Sequence, residues 1–471
     1  MTAESRVRSL DLQLDVKLPH RRGRSDQLTT ALRKAIESGR LPPGARLPST
    51  RGVASDLGLA RGTVISAYHR LVAEGLLETA HGSGTRVAAD PPRVLASARR
   101  QAAAGPGAAW RWDLRPGLPD ITLFPRGAWA RATQRVLTEA PAGALDYGDP
   151  RGQPELRRAL ADYLGRTRGV VTHPDRIIVC HGFTQALGLV AGVLAEQGVG
   201  TVSVEDPCYP LFREVVRLAG LRAHPVGVDE RGLLPSRLRG GAVVVTPIHQ
   251  YPLGAALAGD RRRELVAWAE KAGAVIVEDD YDGEFQYGRR RVGALQALAP
   301  HRVLYAGTTS KTLAPGLRLA WLAVPPEWVE PITAAKRIAD QHSAALTQMV
   351  FTDLLRSGTY DRHIRKCRDH YRERRDRLGA MLAREAPAAR LVGEDAGLHT
   401  LVRWDADGPA EREVLLAARR ESLAVTGLSA YWGTTGPHPP GLVVGYGSPP
   451  QHGYAGALGA LARALRRCFT G

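Results

Sequence analysis

Six short apolar runs, at 176–180, 200–204, 242–246, 274–277, 303–305 and 319–324, constrain this fold more than any other feature of the sequence. Helical patterns lie between them. A strand with one wet face alternates polar and apolar residues, whereas an unbroken run suits a strand covered on both faces. Such strands, joined by helices, predict a parallel α/β sheet. Ligands of these sheets gather at the carboxyl ends of the strands. Chemistry is therefore expected in the residues that follow each run.

Those residues are suggestive. The run 303–305 leads into Thr308-Thr309-Ser310-Lys311, with Arg318 seven residues further on. Lysine is the side chain that condenses with aldehydes, and the usual protein-bound aldehyde is pyridoxal phosphate. The hydroxyls and Arg318 suit a neighbouring phosphate; taken alone, the same residues also fit a solvated loop. After 176–180 come Gly182, Phe183 and Thr184 at the start of a helix, where free amides favour an anion. After 200–204 comes Tyr209, either a core residue or a platform for a planar ring. The run 274–277 ends in Glu278-Asp279-Asp280-Tyr281-Asp282. Extended backbone turns Asp279 and Tyr281 to one side, where a carboxylate can keep a pyridine nitrogen protonated and a phenol can reach the ring oxygen. An acidic tetrad also reads as a solvated face or a metal site.

The N-terminal region differs. Leu28, Ala31, Leu32, Ala35 and Ile36 have helical spacing, Ser49 is placed to cap a second helix through Asp56, and Val64, Ala67, Tyr68, Leu71 and Val72 form the apolar face of a third. Strands at 76–79 and 85–88 flank His81-Gly82-Ser83-Gly84. Three helices and a hairpin predict a winged helix-turn-helix, whose third helix carries Arg61, Thr63, Ser66 and Arg70 near the major groove. The whole chain has 64 Lys+Arg against 47 Asp+Glu, a formal charge of +17 that is unusual for a small-molecule enzyme and points to a polyanion. The first hundred residues hold 17 of those bases and 9 of the acids. Residues 89–110, with Pro91-Pro92 and Gly105-Pro106-Gly107, read as a connector. Four scattered cysteines without metal-ligand spacing predict free thiols, no metal and a reducing, cytoplasmic setting. No signal peptide and no apolar stretch of membrane-spanning length is evident, so a soluble protein without membrane partners is expected.

Leu47-Pro48-Ser49-Thr50-Arg51, Ala60-Arg61-Gly62-Thr63-Val64 and Gly82-Ser83-Gly84-Thr85 resemble the GntR family of bacterial transcription regulators over residues 26–88. The resemblance implies that operator DNA is contacted by Arg51, Arg61, Thr63 and His81, with Gly82 in the wing. From about Asp113 onward, the order of lysine, acid, phenol, aromatic and phosphate loop is similar to that of fold-type I aminotransferases, as is Tyr147-Gly148-Asp149-Pro150-Arg151-Gly152. That resemblance implies pyridoxal phosphate as an aldimine on Lys311. Asp279 would sit at the pyridinium, Tyr281 at the phenolic oxygen and Tyr209 on the ring, with Gly182, Phe183, Thr184, Thr308 and Arg318 around the phosphate.

Joined, the two halves resemble the MocR subgroup, as does Thr246-Pro247 with His249-Gln250-Tyr251-Pro252. The implied layout is a winged helix-turn-helix at 20–88, a linker at 89–110 and an aminotransferase-like region at 111–471. That region's smaller α+β lobe starts near residue 340. Also implied is a head-to-tail homodimer, each reader lying against the other copy's large domain. Two departures bear on function. Tyr251 stands where the aminotransferases have an asparagine, and no arginine lies between Arg420 and Arg463 to clamp a substrate carboxylate. Losing a bidentate clamp removes affinity and orientation for an α-amino acid. The expectation is therefore a regulator rather than an enzyme, sensing pyridoxal phosphate itself in the manner of PdxR-like activators. The alternatives are a regulator sensing an amino acid or amine, and an aminotransferase with a tethered DNA-binding domain.

Overall fold

The computed structural model describes residues 6–9, 14–17, 24–37, 40–80, 84–89, 110–288 and 291–469. They form two compact units, 1–109 and 110–471. Among the described residues no helix is long and apolar enough to cross a membrane.

In the first unit, helices Arg24–Glu37, Thr50–Leu57 and Arg61–Ala73 enclose a core of Leu28, Leu32, Val53, Leu57, Val64 and Leu71. The Ser49 side chain accepts from the Gly52 amide at 3.1 Å and starts the second helix, a cap worth about 1 kcal/mol. Gly58 ends that helix at φ 58°, in the left-handed region that glycine tolerates. The Tyr68 hydroxyl donates to the Pro48 carbonyl at 3.0 Å, tying the third helix to the loop before the second. The hairpin strands are Leu77–Ala80 and Gly84–Val87, displaced by one residue from the expected 76–79 and 85–88 and so closer to the turn. A further antiparallel pair, Arg6–Ser9 with Leu14–Lys17, has no counterpart in the sequence reading.

The second unit is built on an eight-stranded sheet. Its order is Ile177–Cys180, Ala320–Ala323, Val303–Thr308, Val275–Asp280, Ala242–Val245, Thr201–Asp206, Arg222–Asp229 and Gly232–Leu233. All six apolar runs are strands in it. The sheet is mixed, which corrects the expected parallel arrangement. Ala320–Ala323 runs antiparallel to both neighbours, and Gly232–Leu233 is antiparallel to Arg222–Asp229. Short, fully buried runs carry no signal of direction, because burial on both faces is the same for either. Arg222–Asp229 escaped notice because it is mostly half-buried and contains Pro225, tolerated toward a sheet edge.

A smaller four-stranded sheet, ordered Arg390–Val392, His399–Arg403, Gly441–Gly445 and Thr426–Gly427, follows the 27-residue helix Thr359–Glu385. The start of the unit returns to this region, since Trp112–Asp113 pairs with Leu423–Ala424. Buried Arg374 of the long helix donates to Asp120 at 2.8 Å and to the Pro449 carbonyl at 2.7 Å, fixing helix, N-terminal segment and small sheet together.

Candidate functional site

All nine residues expected at the cofactor line one cavity of about 360 Å³: Gly182, Phe183, Thr184, Tyr209, Asp279, Tyr281, Thr308, Lys311 and Arg318. Topology explains the convergence. Four adjacent or near-adjacent strands end on the same edge, so the segments that leave them face one another.

Lys311 follows the strand Val303–Thr308, and its amine donates to the Gly117 carbonyl at 2.6 Å. Burial lowers its pKa, opposed by the charges of Asp279 and Asp282. Asp279, near the end of the neighbouring strand, is 5% exposed, and its Oδ1 has no hydrogen-bond partner among the described residues. Burial drives its carboxyl well above the usual range, Lys311 opposes the shift, and the charges of Asp280 and Asp282 add to it. A buried carboxylate oxygen without a donor is costly unless a ligand supplies one.

Opposite, Gly182 starts the helix Phe183–Glu196 at φ 142°, and a Cβ there would lie 2.8 Å from Arg318 Nη2. Only glycine allows the guanidinium so close to the helix N-terminus. Arg318 itself has φ 51°, uncommon for a side chain of its size. Thr308 and Ser310, whose hydroxyls are 2.9 Å apart, complete a cradle of amides, hydroxyls and one guanidinium suited to a phosphate.

These groups fit pyridoxal phosphate on the structure's own terms. Burial lowers the pKa of the amine and so favours its unprotonated form, the orphan carboxylate oxygen awaits a donor, and the glycine-bounded cradle suits the phosphate. Tyr209, edge-on to Phe212 and Tyr251 with centroids 5.7 and 5.8 Å away, closes one side. The Tyr281 hydroxyl donates to the His249 carbonyl at 2.8 Å, so it presents lone pairs rather than its proton to the cavity.

Several lining groups were not foreseen. His399 faces the cavity from the small sheet, its ring tilted against those of Tyr251 and His249 with centroids 4.8 and 4.7 Å away. Its Nε2 has no partner, and burial lowers its pKa well below the ordinary value, so the ring is neutral. Gly117 and Leu118 arrive from the distant N-terminal segment. Nothing in local pattern marks any of these. Tyr251, at the position where the asparagine is absent, lines the cavity, and its hydroxyl reaches that of Tyr431 at 3.3 Å. His249, Asp282 and His399 place potential metal-donor atoms within 4.8 Å of one another, yet His249 Nδ1 is already hydrogen-bonded to Asp282 at 2.9 Å.

Beneath the site, Glu205 is 3% exposed and accepts from the Thr246 hydroxyl at 2.6 Å and from the Thr246 amide at 3.1 Å. Burial pushes its carboxyl up to about 7, against those hydrogen bonds. Between the ordinary 4.5 and about 7, the folded chain keeps a proton that the unfolded chain has released. Stability therefore falls as pH rises through that window. Glu205→Gln removes this dependence, so melting curves from pH 5 to 8 should show the variant gaining on the unmodified chain. Parallel profiles would contradict the assignment.

In the first unit Arg51, Arg61 and Ser66 are exposed and Thr63 is half-buried at the start of its helix. Arg70 is exposed but ion-paired with Asp26 of the first helix. His81 and Gly82 lie outside the described residues.

The family described as Aminotransferase class I and II matches residues 121–431, and Bacterial regulatory proteins, gntR family, matches residues 24–87. The chain is 35% identical to the HTH-type pyridoxine biosynthesis transcriptional regulator PdxR of Corynebacterium glutamicum, over 90% of this chain and 91% of the relative. It is 32% identical to the probable rhizopine catabolism regulatory protein MocR of Rhizobium meliloti, over 95% and 92%. Among solved structures, the α-aminoadipate aminotransferase LysN of Thermus thermophilus, complexed with N-(5'-phosphopyridoxyl)-L-leucine, matches with a TM-score of 0.68. Its identity is 28%, covering 80% of this chain and 96% of that one.

Proposed function

The chain belongs to the class I and II aminotransferase family and carries a gntR-family reader, and from that premise we propose that it is a transcription regulator that senses pyridoxal phosphate. When bound, the cofactor supplies an aldehyde and an electron-accepting ring. Lys311 would offer the amine, whose pKa burial lowers; Asp279 would hold a proton at the pyridine nitrogen; the Gly182–Arg318 cradle would bind the phosphate; Tyr209 would shield the ring. The single observation that carries a sensing role is the cavity's charge. Arg318 is the only arginine among its lining residues, and it belongs to the cradle. The far wall offers the neutral ring of His399 and the Tyr251 phenol, neither of which clamps an α-carboxylate. The cofactor itself is then the signal, as the description of the C. glutamicum relative suggests for a control of pyridoxine biosynthesis.

Two copies of the chain, paired head to tail in the cytoplasm, would present two readers to paired half-sites. Occupancy of the cavity shifts which arrangement of the readers is populated. The test is binding to the DNA upstream of the protein's own reading frame, with and without pyridoxal phosphate, for the unmodified chain and Lys311→Ala. The cofactor should alter affinity or footprint for the unmodified chain alone. Four identical footprints would end the proposal. The likeness to LysN favours a second reading, an aminotransferase with a tethered reader. Rapid conversion of the bound cofactor to its amine form by common amino acids would establish that reading instead.

A further inference from the structure

A second concave region of the 110–471 unit is lined by arginine and has no part in the cofactor site. Two neighbouring hollows, of about 380 and 250 Å³, share Arg291, Arg365 and Arg368. Arg166 and Arg168 line the first, and Arg372 lines the second. Three of these cations are already matched: Arg166 by Asp361 at 2.8 Å, Arg168 by Asp280 at 2.7 Å and Arg372 by Asp369 at 3.1 Å. Among the described residues Arg368 donates to the Glu284 carbonyl alone, at 2.7 and 3.0 Å. Among the described residues no carboxylate lies within ion-pair distance of Arg291 or Arg365, and both are exposed. Buried Arg168, 4% exposed, has an Nη2 without a hydrogen-bond partner among the described residues. Glu284, which lines the same hollow, is pushed up to about 7 by burial and the Asp280 charge, so near neutral pH it offsets only part of one positive charge.

The arrangement is extended. Arg365, Arg368 and Arg372 fall at i, i+3 and i+7 of the helix Thr359–Glu385, on one face. They span about 10 Å of its axis, a length that matches about three successive phosphates of one DNA strand. A single small anion would need one focus rather than a row. The charge balance agrees. Of the net +17, a surplus of eight lies in the first hundred residues, which leaves nine on the remainder. A cavity for one phosphorylated cofactor does not account for that excess.

We propose that this arginine groove is a second DNA-contacting surface, which takes the sugar–phosphate backbone without reading bases; it rests on the DNA-binding reading given above. The test uses the full chain, the double variant Arg291→Gln/Arg365→Gln and the charge-preserving Arg291→Lys/Arg365→Lys. Affinities are measured against mixed-sequence duplexes of about 20 and about 60 base pairs over a range of salt. Both positions are exposed and unpaired, and the absorption of bound pyridoxal phosphate checks that each variant is folded. On the long duplex the glutamine variant should bind roughly tenfold more weakly, with a log–log salt slope shallower by about 1.8, two lost contacts at about 0.9 each. The lysine variant should keep the slope of the unmodified chain. An unchanged slope in the glutamine variant, while the unmodified chain binds DNA, overturns the groove and leaves the reader intact. Failure of the unmodified chain to bind any duplex overturns the reading beneath it. If inorganic phosphate raises the melting temperature of the unmodified chain but not of the glutamine variant, and the slopes agree, the groove is a small-anion site and the DNA assignment is wrong.

Discussion

Lys311→Ala is expected to abolish completely the visible absorption of lysine-bound pyridoxal phosphate, while the chain stays folded. Among the described residues no other amine lines the cavity. Lys311 is the only lysine among its lining residues, and a covalent link to an aldehyde requires an unprotonated amine within reach. Burial lowers the pKa of that amine, which favours the unprotonated form, and the Gly117 carbonyl accepts its hydrogen bond. Truncation removes that hydrogen bond at the cavity wall. The core strand before it, Val303–Thr308, is buried throughout and paired on both sides, so the local backbone has no reason to move. The measurement is a titration with pyridoxal phosphate followed by absorbance, alongside a melting curve. A band of normal intensity in the variant would mean that another lysine carries the link and that the cavity has been misassigned. Because DNA contact resides in other residues, the variant should still bind duplex, and loss of the cofactor response without loss of binding is the signature of a sensor.

The central strands could be read from the chain because full burial leaves an uninterrupted apolar run, and the groups that end those runs could be read because parallel strands end together. Asp279, Lys311 and Gly182 were legible for that reason. Three things were not. Ala320–Ala323 gives no hint of its reversed direction, since Trp321 and Leu322 are as buried as any parallel strand would make them. His399 is separated from Lys311 by 88 positions and shares no periodicity with it; only the packing of the small sheet brings it to the cavity. The Gly117 carbonyl is backbone, and no side-chain pattern can announce it. The arginine groove lies between these cases. Arg365, Arg368 and Arg372 have visible helical spacing, but Arg291 joins them only through tertiary structure. Long-range convergence is what local propensity and periodicity omit.

Asp279→Asn should change cofactor affinity and stability of the cofactor-free chain in opposite directions. In the cofactor-free chain, a carboxylate with a partnerless Oδ1 is buried beside a lysine that burial also discourages from charging. Its folded pKa is raised, so the native state holds a proton that the unfolded state releases above about 4. By linkage this costs stability as pH rises. Asparagine keeps the shape without the charge, so the variant free of cofactor should melt no lower than the unmodified chain at pH 8, and the gap should close toward pH 4. With pyridoxal phosphate present the order reverses. The ionised Asp279 can stabilise a protonated pyridine nitrogen through a charge-assisted hydrogen bond, whereas the amide offers only a neutral one. The difference is about 1–2 kcal/mol, roughly a tenfold loss in affinity. Calorimetry of both forms at pH 8 reads both signs. Equal affinity for the two chains would show that Asp279 does not face the ring nitrogen, and lower stability of the cofactor-free variant would show that the carboxylate has a partner after all. Either result would separate the orphan oxygen from the cofactor, and with it the strongest physical reason for placing the ring between Asp279 and Tyr209.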